Sequence, residues 1–160
     1  MSPAPAMQFI ISIILLITAL AHAAPTTGTT PPPTTLSRRA ISAALVPSFG
    51  VTRNTNANAK QRGSCDGSNG QATVLIPCSC PPDRDAFLAK LSTAAAQGNV
   101  FGDKITFSDD AADQSVATNK KRATAMLLVL QSFDGEKGKG CPGASAPNFL
   151  LQQKDGKKRD

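Results

Sequence analysis

The sequence predicts a small, mainly α-helical domain that is stapled by disulfides and contains two packed helices, an extended N-terminal arm and long loops. Two stretches repeat apolar residues at three- and four-residue spacing, which is typical of helices with one buried face. Four cysteines follow the apolar leader, and an even number suits paired disulfides in a small exported chain. A chain of 160 residues has room for one such domain.

The first 23 residues have the pattern of a cleavable secretory signal peptide. Residues 9–20 are almost wholly apolar, but such a run is too short to span a bilayer, which takes about twenty residues. The small-x-small sequence Ala21-His22-Ala23 follows, so we expect cleavage between Ala23 and Ala24. The mature chain is then expected to be extracellular and to contain no transmembrane segment.

Residues 24–39 are predicted to be a Thr/Pro-rich propeptide or linker. Residues 26–35 contain only Thr, Gly and Pro, so they have no apolar surface to bury. The stretch ends at Arg38-Arg39, a dibasic pair of the kind that processing proteases cut. Cleavage there would make Ala40 the first mature residue. If the two arginines are only solvated charges, the mature chain begins at Ala24.

The net charge of +6 belongs to the ends of the chain. Residues 63–153 carry eight Lys and Arg against nine Asp and Glu, and the basic excess lies before and after them. Neither basic end contains an aromatic side chain on which a base could stack, which argues against nucleic-acid binding. The basic residues of the two ends are Arg53, Lys60, Arg62, Lys154, Lys157, Lys158 and Arg159.

The four cysteines are predicted to form two disulfides. A bridge between Cys78 and Cys80 would close a very tight ring, so we set that connectivity aside. The pairing Cys65–Cys78 with Cys80–Cys141 is preferred, and Cys65–Cys80 with Cys78–Cys141 is the alternative. The cysteine spacing does not resemble paired zinc knuckles, and we expect neither a metal nor a cofactor.

The residue inventory predicts no catalytic residue. The only histidine is His22, which lies within the signal peptide, so the mature chain has none. This removes the Ser–His and Cys–His forms of nucleophile activation, and with them histidine acid–base chemistry.

The first part of the mature chain, residues 40–62, is predicted to be an arm followed by a loop. Residues 41–51 are mildly apolar and suit an extended arm across a core, whereas residues 52–62 are polar and predict a loop. Residues 65–70 form a cluster of turn-forming residues, and residues 73–76 form a short β-prone run before Pro77.

The helical domain is predicted over residues 63–153, with a basic tail over 154–160. Pro81-Pro82 and Asp83 suit the start of a first helix, and Gly98 suits its end. A second helix is predicted from about 110 to 133, with Lys120-Lys121-Arg122 interpreted as a solvated face. Residues 149–151 are expected to anchor the end of the chain to the core. The predicted buried stripes consist of Phe87, Leu88, Leu91, Ala94 and Ala95 in the first helix, and Val116, Ala123, Met126, Leu127, Leu130 and Phe133 in the second.

One run of residues resembles a known group of proteins. The run Ile76-Pro77-Cys78-Ser79-Cys80-Pro81-Pro82-Asp83-Arg84-Asp85-Ala86-Phe87, preceded by Cys65-Asp66-Gly67, resembles small secreted cysteine-containing proteins of filamentous fungi. The similarity extends over about residues 46–150, and the lysine-rich end departs from it. The resemblance implies a secreted fungal protein, but the group has no assigned activity and therefore implies no catalytic residue.

Two classes of function remain open. The first is a non-enzymatic interaction protein, effector-like, which acts on a cell-wall or host-surface component. The alternative is a small extracellular hydrolase, which needs two carboxylates about 5–10 Å apart in a groove. The candidate carboxylates are Asp66, Asp83, Asp85 and Asp109.

Overall fold

The computed structural model describes residues 40–57 and 62–159. The predicted signal peptide and linker, with their cleavage residues Ala23, Ala24, Arg38 and Arg39, lie outside the described residues and stay predictions. The division of the chain into an arm, a stapled domain and a basic tail also stays a prediction.

The fold is mixed α/β, so the prediction of a mainly α domain is wrong. Strands β1 (Thr52–Ala57), β2 (Ser64–Ser68) and β3 (Thr73–Pro77) form an antiparallel sheet in the order β1-β2-β3. Helix α1 (Arg84–Gln97) follows, and then a hairpin of β4 (Asn99–Val100) and β5 (Asp103–Lys104). Helices α2 (Val116–Gln131) and α3 (Pro147–Asp155) complete the described elements, with one-turn 3₁₀ helices at Ala43–Leu45 and Gly143–Ser145.

The residues that predicted a loop and a turn cluster instead form β1 and β2. In β2, Cys65 pairs with Ile76 and Gly67 pairs with Val74, so the apolar residues of β3 hold the register. Gly67 is required by close packing, because a Cβ at this position would lie 2.7 Å from Ile76 Cδ1 and 2.8 Å from Val51 Cγ1. Glycine within a strand often marks such a close approach, and here it does not mark a turn.

The two predicted helices exist, and the structure adds a third. Asp83 caps α1 by accepting a hydrogen bond from the Ala86 backbone N–H at 3.0 Å, and Gly98 ends the helix with a φ of 68°. Helix α2 begins at Val116, with Ser115 as its cap, and not near residue 110. The anchor expected at 149–151 is part of α3, which has Pro147 in its first turn and ends at Gly156 with a φ of 73°.

Three phenylalanines from distant parts of the chain form the centre of the core. Phe49 of the arm lies 5.3 Å from Phe87 of α1 and 5.4 Å from Phe149 of α3, measured between ring centroids. Phe87 and Phe149 are 5.5 Å apart and both are fully buried. This confirms the expectation that the arm and the end of the chain close the core between the two predicted helices, where α2 contributes Met126, Leu127 and Leu130.

Two disulfides are present with the preferred pairing. Cys65–Cys78 joins β2 to the turn after β3. Cys80–Cys141 joins the segment between β3 and α1 to the loop after α2. Disulfides of this kind persist in oxidising compartments. Within residues 40–57 and 62–159, no helix is long and apolar enough to cross a membrane.

Arg122 is buried, so the interpretation of Lys120-Lys121-Arg122 as a wholly solvated face is wrong at its third residue. Its side chain is 1% exposed, and it ties the loop before α2 to the helix. Nε donates to Ser108 O at 2.9 Å, Nη1 to Asp113 O at 2.8 Å and to Asn119 Oδ1 at 3.0 Å, and Nη2 to Asp110 O at 2.6 Å.

Candidate functional site

The four candidate carboxylates lie in three different parts of the fold. Asp83 is occupied as the cap of α1, and Asp85 is exposed in the first turn of the same helix. Asp66 is half-buried on β2, and Asp109 lies in the loop before α2. None of these four side chains lines any of the three grooves described below.

The most apolar of the grooves lies beside the β4–β5 hairpin, and we call it the hairpin groove. Its volume is about 480 Å³, within the range of about 300–1,000 Å³ that is usual for binding sites. One wall is a single face of α1, which presents short side chains and one lysine. The opposite wall comes from the hairpin and from the end of α2. The lining consists of Ala89, Lys90, Thr93, Ala94 and Gln97 of α1, Asn99, Val100 and Phe101 of the hairpin, Val129 and Ser132 at the end of α2, and Gly135.

Phe101 is the unusual residue of the hairpin groove. It stands with Gly102 at the tip of the hairpin, where both residues have positive φ, 47° for Phe101 and 90° for Gly102. Two positive φ values are required by the type I′ turn, whose preferred first residues are Asn, Asp and Gly. Among the described residues, Phe101 is the one non-glycine residue with positive φ. A bulky aromatic residue in this conformation carries backbone strain.

Phe101 is also half exposed to solvent, with 51% of the residue accessible. Residues held in strained backbone conformations are more frequent at functional sites than elsewhere. Phe101 therefore has the two properties of a contact residue: it is held in place by a tight turn, and it presents apolar surface at the rim of a groove.

Lys90 gives the hairpin groove a positive charge at one edge. Its ammonium group lies 4.2 Å from the centroid of the Phe133 ring, a cation–π distance. Nζ also donates a hydrogen bond to Phe133 O, so the side chain is fixed against the end of α2. The charge is thus positioned by the fold and is not carried on a freely rotating arm.

A second groove lies between the arm and the β2–β3 turn and has a volume of about 500 Å³. Its one charged residue among those described is Arg84, which is engaged in holding the arm. Nη1 donates to Pro47 O at 2.9 Å and Nη2 to Val46 O at 2.6 Å. The guanidinium is already bonded to backbone carbonyls. The one charged group of this groove is therefore less available to a ligand.

Comparison of the chain with protein-family models, with curated proteins and with solved structures gives no match. The function must therefore be argued from the geometry of the chain itself.

The described residues contain no cluster of three or more His, Cys, Asp or Glu side chains that could hold a metal ion. The most perturbed carboxyl group is Asp113, in the loop before α2. The Thr118 hydroxyl donates to Asp113 Oδ2 at 2.6 Å, the Ser115 backbone N–H donates to Oδ1 at 3.0 Å, and the Ser115 side chain adds to them. These hydrogen bonds lower the pKa of Asp113 from 3.8 to about 2. Asp113 lines none of the three grooves, so its low pKa serves the loop and the helix start.

Sequence reasoning did not identify the hairpin groove. Phe-Gly is not among the dipeptides that signal a two-residue hairpin. The groove also depends on α1, the hairpin and the end of α2 coming together, which no local pattern encodes.

Proposed function

We propose that this chain is a secreted, non-enzymatic interaction protein of fungal origin, which binds an apolar segment of a partner protein in the hairpin groove. The observation that carries the proposal is Phe101, a strained and half-exposed aromatic residue at the rim of that groove. Aromatic anchors beside a preformed pocket are the usual energetic centres of protein interfaces.

The lining of the hairpin groove favours an apolar segment over a sugar polymer. The face of α1 presents methyl groups at Ala89 and Ala94, and the far wall adds Val100 and Val129. A sugar platform needs flat aromatic surface, and Phe101 is the one aromatic ring among the described residues that line the groove. Lys90 at the edge suits a partner segment with an acidic residue beside its apolar part.

Export and fungal origin rest on the sequence. The apolar leader with its Ala23–Ala24 cleavage pattern and the resemblance to small secreted fungal proteins support them. The two disulfides agree with an oxidising destination. The expected partner is therefore a protein at the fungal cell surface or on a host.

The hydrolase alternative receives no support from the described grooves, because none of the three is lined by an Asp or Glu side chain. A pair of carboxylates facing one groove is the arrangement that the hydrolase requires.

The test is a matched pair of charge insertions on α1. Ala89 is exposed and lines the hairpin groove, whereas Ala96 is exposed on the same helix and does not line it. Protein purified from culture medium, as wild type, Ala89→Glu or Ala96→Glu, is immobilised and exposed to cell-surface protein from the fungus and from a host. Bound proteins are then crosslinked and counted by mass spectrometry.

Partners retained by wild type and Ala96→Glu but lost with Ala89→Glu would support the hairpin groove as the binding site. Equal capture by both variants would exclude this groove. No specific capture by wild type from any of these sources would contradict the interaction function itself.

A further inference from the structure

A second, chemically different cavity involves the end of strand β5 and helix α2. We call it the lysine recess: a cavity of about 270 Å³ between α2 and residues 104–106, the segment that begins at the last residue of β5. Lys104 and Thr106 reach it from that segment, and Lys120, Lys121 and Thr124 reach it from α2. Three lysine side chains thus line one small cavity, and none of the described residues that line it is acidic.

Lys120 and Lys121 lie near the N-terminal end of α2, where the helix dipole does not favour positive charge. The N-terminal end of a helix carries partial positive charge and favours acidic side chains. Yet the first turn of α2 contains no acidic residue, and Lys120 and Lys121 follow in the second turn. These cations are better placed to attract an anion than to stabilise their own helix.

Arg122 follows Lys121 in the sequence but is not among the described residues that line the recess. Its buried guanidinium donates to three backbone carbonyls and to the Asn119 side-chain oxygen, which are all neutral acceptors. After the hydrogen bonds from Thr118 and Ser115, the charge of Arg122 also contributes to the lowered pKa of Asp113, so the positive charge of the recess is that of its three lysines. The low-dielectric walls of a cleft focus the electric field of its lysines, so an anion is attracted more strongly there than on a flat surface.

The size and lining of the recess identify the class of anion. The cavity is too small for a polymer chain to pass through, but it can hold one compact charged group. No aromatic ring is among the described lining residues, so a nucleobase would have nothing to stack on. Ammonium groups and a hydroxyl such as that of Thr106 are donors suited to phosphoryl oxygens. A phosphate monoester carries a charge of about −1.5 to −2, which three lysines can balance.

We propose that the lysine recess binds the phosphoryl group of a phosphate monoester. This inference is independent of the hairpin groove, since the two sites share no lining residue, and each can fail without the other.

The experiment compares two triple variants that remove the same charge. Lys104→Gln/Lys120→Gln/Lys121→Gln empties the recess of ammonium groups. Lys139→Gln/Lys154→Gln/Lys157→Gln removes three exposed lysines elsewhere. Each secreted protein is titrated with glycerol 1-phosphate at physiological salt, and binding is followed by shifts of backbone amide NMR signals.

We expect saturable shifts at Thr106 and residues 120–125, with an affinity at least about tenfold weaker in the recess variant and changed less than about threefold in the control variant. Two results would overturn the proposal. The first is no saturable binding up to about 10 mM, which corresponds to a binding free energy weaker than about 2.7 kcal/mol. The second is an equal loss of affinity in both triple variants.

A second arm identifies the source of the phosphoryl group. Sedimentation is measured with phosphatidylcholine vesicles that contain or lack phosphatidic acid, whose headgroup is a phosphate monoester. Binding to the phosphatidic acid vesicles that is lost in the recess variant assigns the group to a lipid. Recess-dependent binding of glycerol 1-phosphate without vesicle binding assigns it to a free phosphate monoester. Vesicle binding that survives in the recess variant, with no binding of the free ester, would count against the site.

Discussion

At the scale of single residues, Arg122 is the side chain on which the loop before α2 depends. Four oxygens of that loop and helix accept its hydrogen bonds, and the guanidinium is almost fully buried. Replacing it with an apolar residue leaves these four buried or partly buried acceptors without a donor. Because unpaired buried polar groups are costly, Arg122→Met should lower the free energy of unfolding by about 3–5 kcal/mol.

The control for Arg122 is its exposed neighbour Lys121. Lys121→Met should change the free energy of unfolding by less than about 0.5 kcal/mol. Arg122→Lys should recover only part of the loss, because one ammonium group does not reproduce a planar fork of five N–H donors. Urea unfolding of the three variants measures these differences, and an Arg122→Met variant as stable as wild type would contradict the role of Arg122 in holding the loop.

Asp113 gives a prediction about pH. Its carboxylate accepts hydrogen bonds from Thr118 and Ser115 in the folded chain, which lowers its pKa to about 2 from an ordinary value of 3.8. The ionised form is therefore favoured by folding. The stabilisation is fully present above about pH 4 and is lost as the pH falls through about 2.

The measurement is the free energy of unfolding of wild type and Asp113→Asn between pH 2 and pH 6. Wild type should be more stable at pH 5, and the difference should shrink steadily as the pH falls from about 4 to about 2. Two curves that stay parallel over the whole range would show that this carboxylate does not contribute by its charge.

At the scale of elements, the buried face of α1 should contribute more to stability than its exposed Asp85. Phe87 has no exposed surface and contacts both Phe49 and Phe149, so Phe87→Ala would leave a cavity in the centre of the core. The expected loss is about 3–5 kcal/mol. Asp85→Ala, on the exposed first turn, should cost under about 1 kcal/mol. A thermal midpoint that is unchanged in Phe87→Ala, together with a loss of folding in Asp85→Ala, would contradict this expectation.

The helices could be predicted from the sequence because their signals are local. Pro81-Pro82 with Asp83, the apolar spacing from Phe87 to Leu91, and Gly98 each act within a few residues of their position. The α2 start was predicted several residues too early, because Asp109 and Asp110 look like caps while Ser115 is the residue that caps the helix.

The strands could not be predicted in the same way, because their stability is not local. Strand β1 is polar and β2 contains Asp and Gly, so neither has the alternation of a typical strand. They form because β3 offers Val74 and Ile76, and because Cys65–Cys78 holds β2 to the end of β3. Helix α3 was missed for a similar reason: its nine residues are stabilised by contacts with α2 that a short pattern does not show.

At the scale of the whole molecule, the two disulfides differ in how much they restrict the unfolded chain. Cys80–Cys141 closes a loop with a sequence separation of 61, and Cys65–Cys78 one of 13. In the chain-entropy model these loops correspond to about 4 and about 3 kcal/mol. Replacing both cysteines of a pair with Ala should therefore lower stability more for Cys80/Cys141 than for Cys65/Cys78. Denaturant unfolding of the two double variants measures the order, and the reverse order would show that native packing around the sheet outweighs loop entropy.

The candidate binding surface is a property of the assembled molecule. The sequence shows a Phe-Gly pair at 101–102, but only the fold places it at a turn with positive φ, beside a groove made by two helices. The absence of histidine from residues 40–160, by contrast, can be read directly from the sequence and bounds the chemistry at once.

The proposed function requires that Phe101 serves binding and not stability, and one substitution tests both parts of this requirement. Asn tolerates positive φ better than Phe and forms, with Gly102, the preferred type I′ pair. Phe101→Asn should therefore leave the thermal midpoint unchanged or raise it by a few degrees, through relief of about 1 kcal/mol of backbone strain. The same variant should lose at least about tenfold in affinity for the partner captured by wild type. A variant that binds as tightly as wild type, or that is markedly less stable, would contradict the claim.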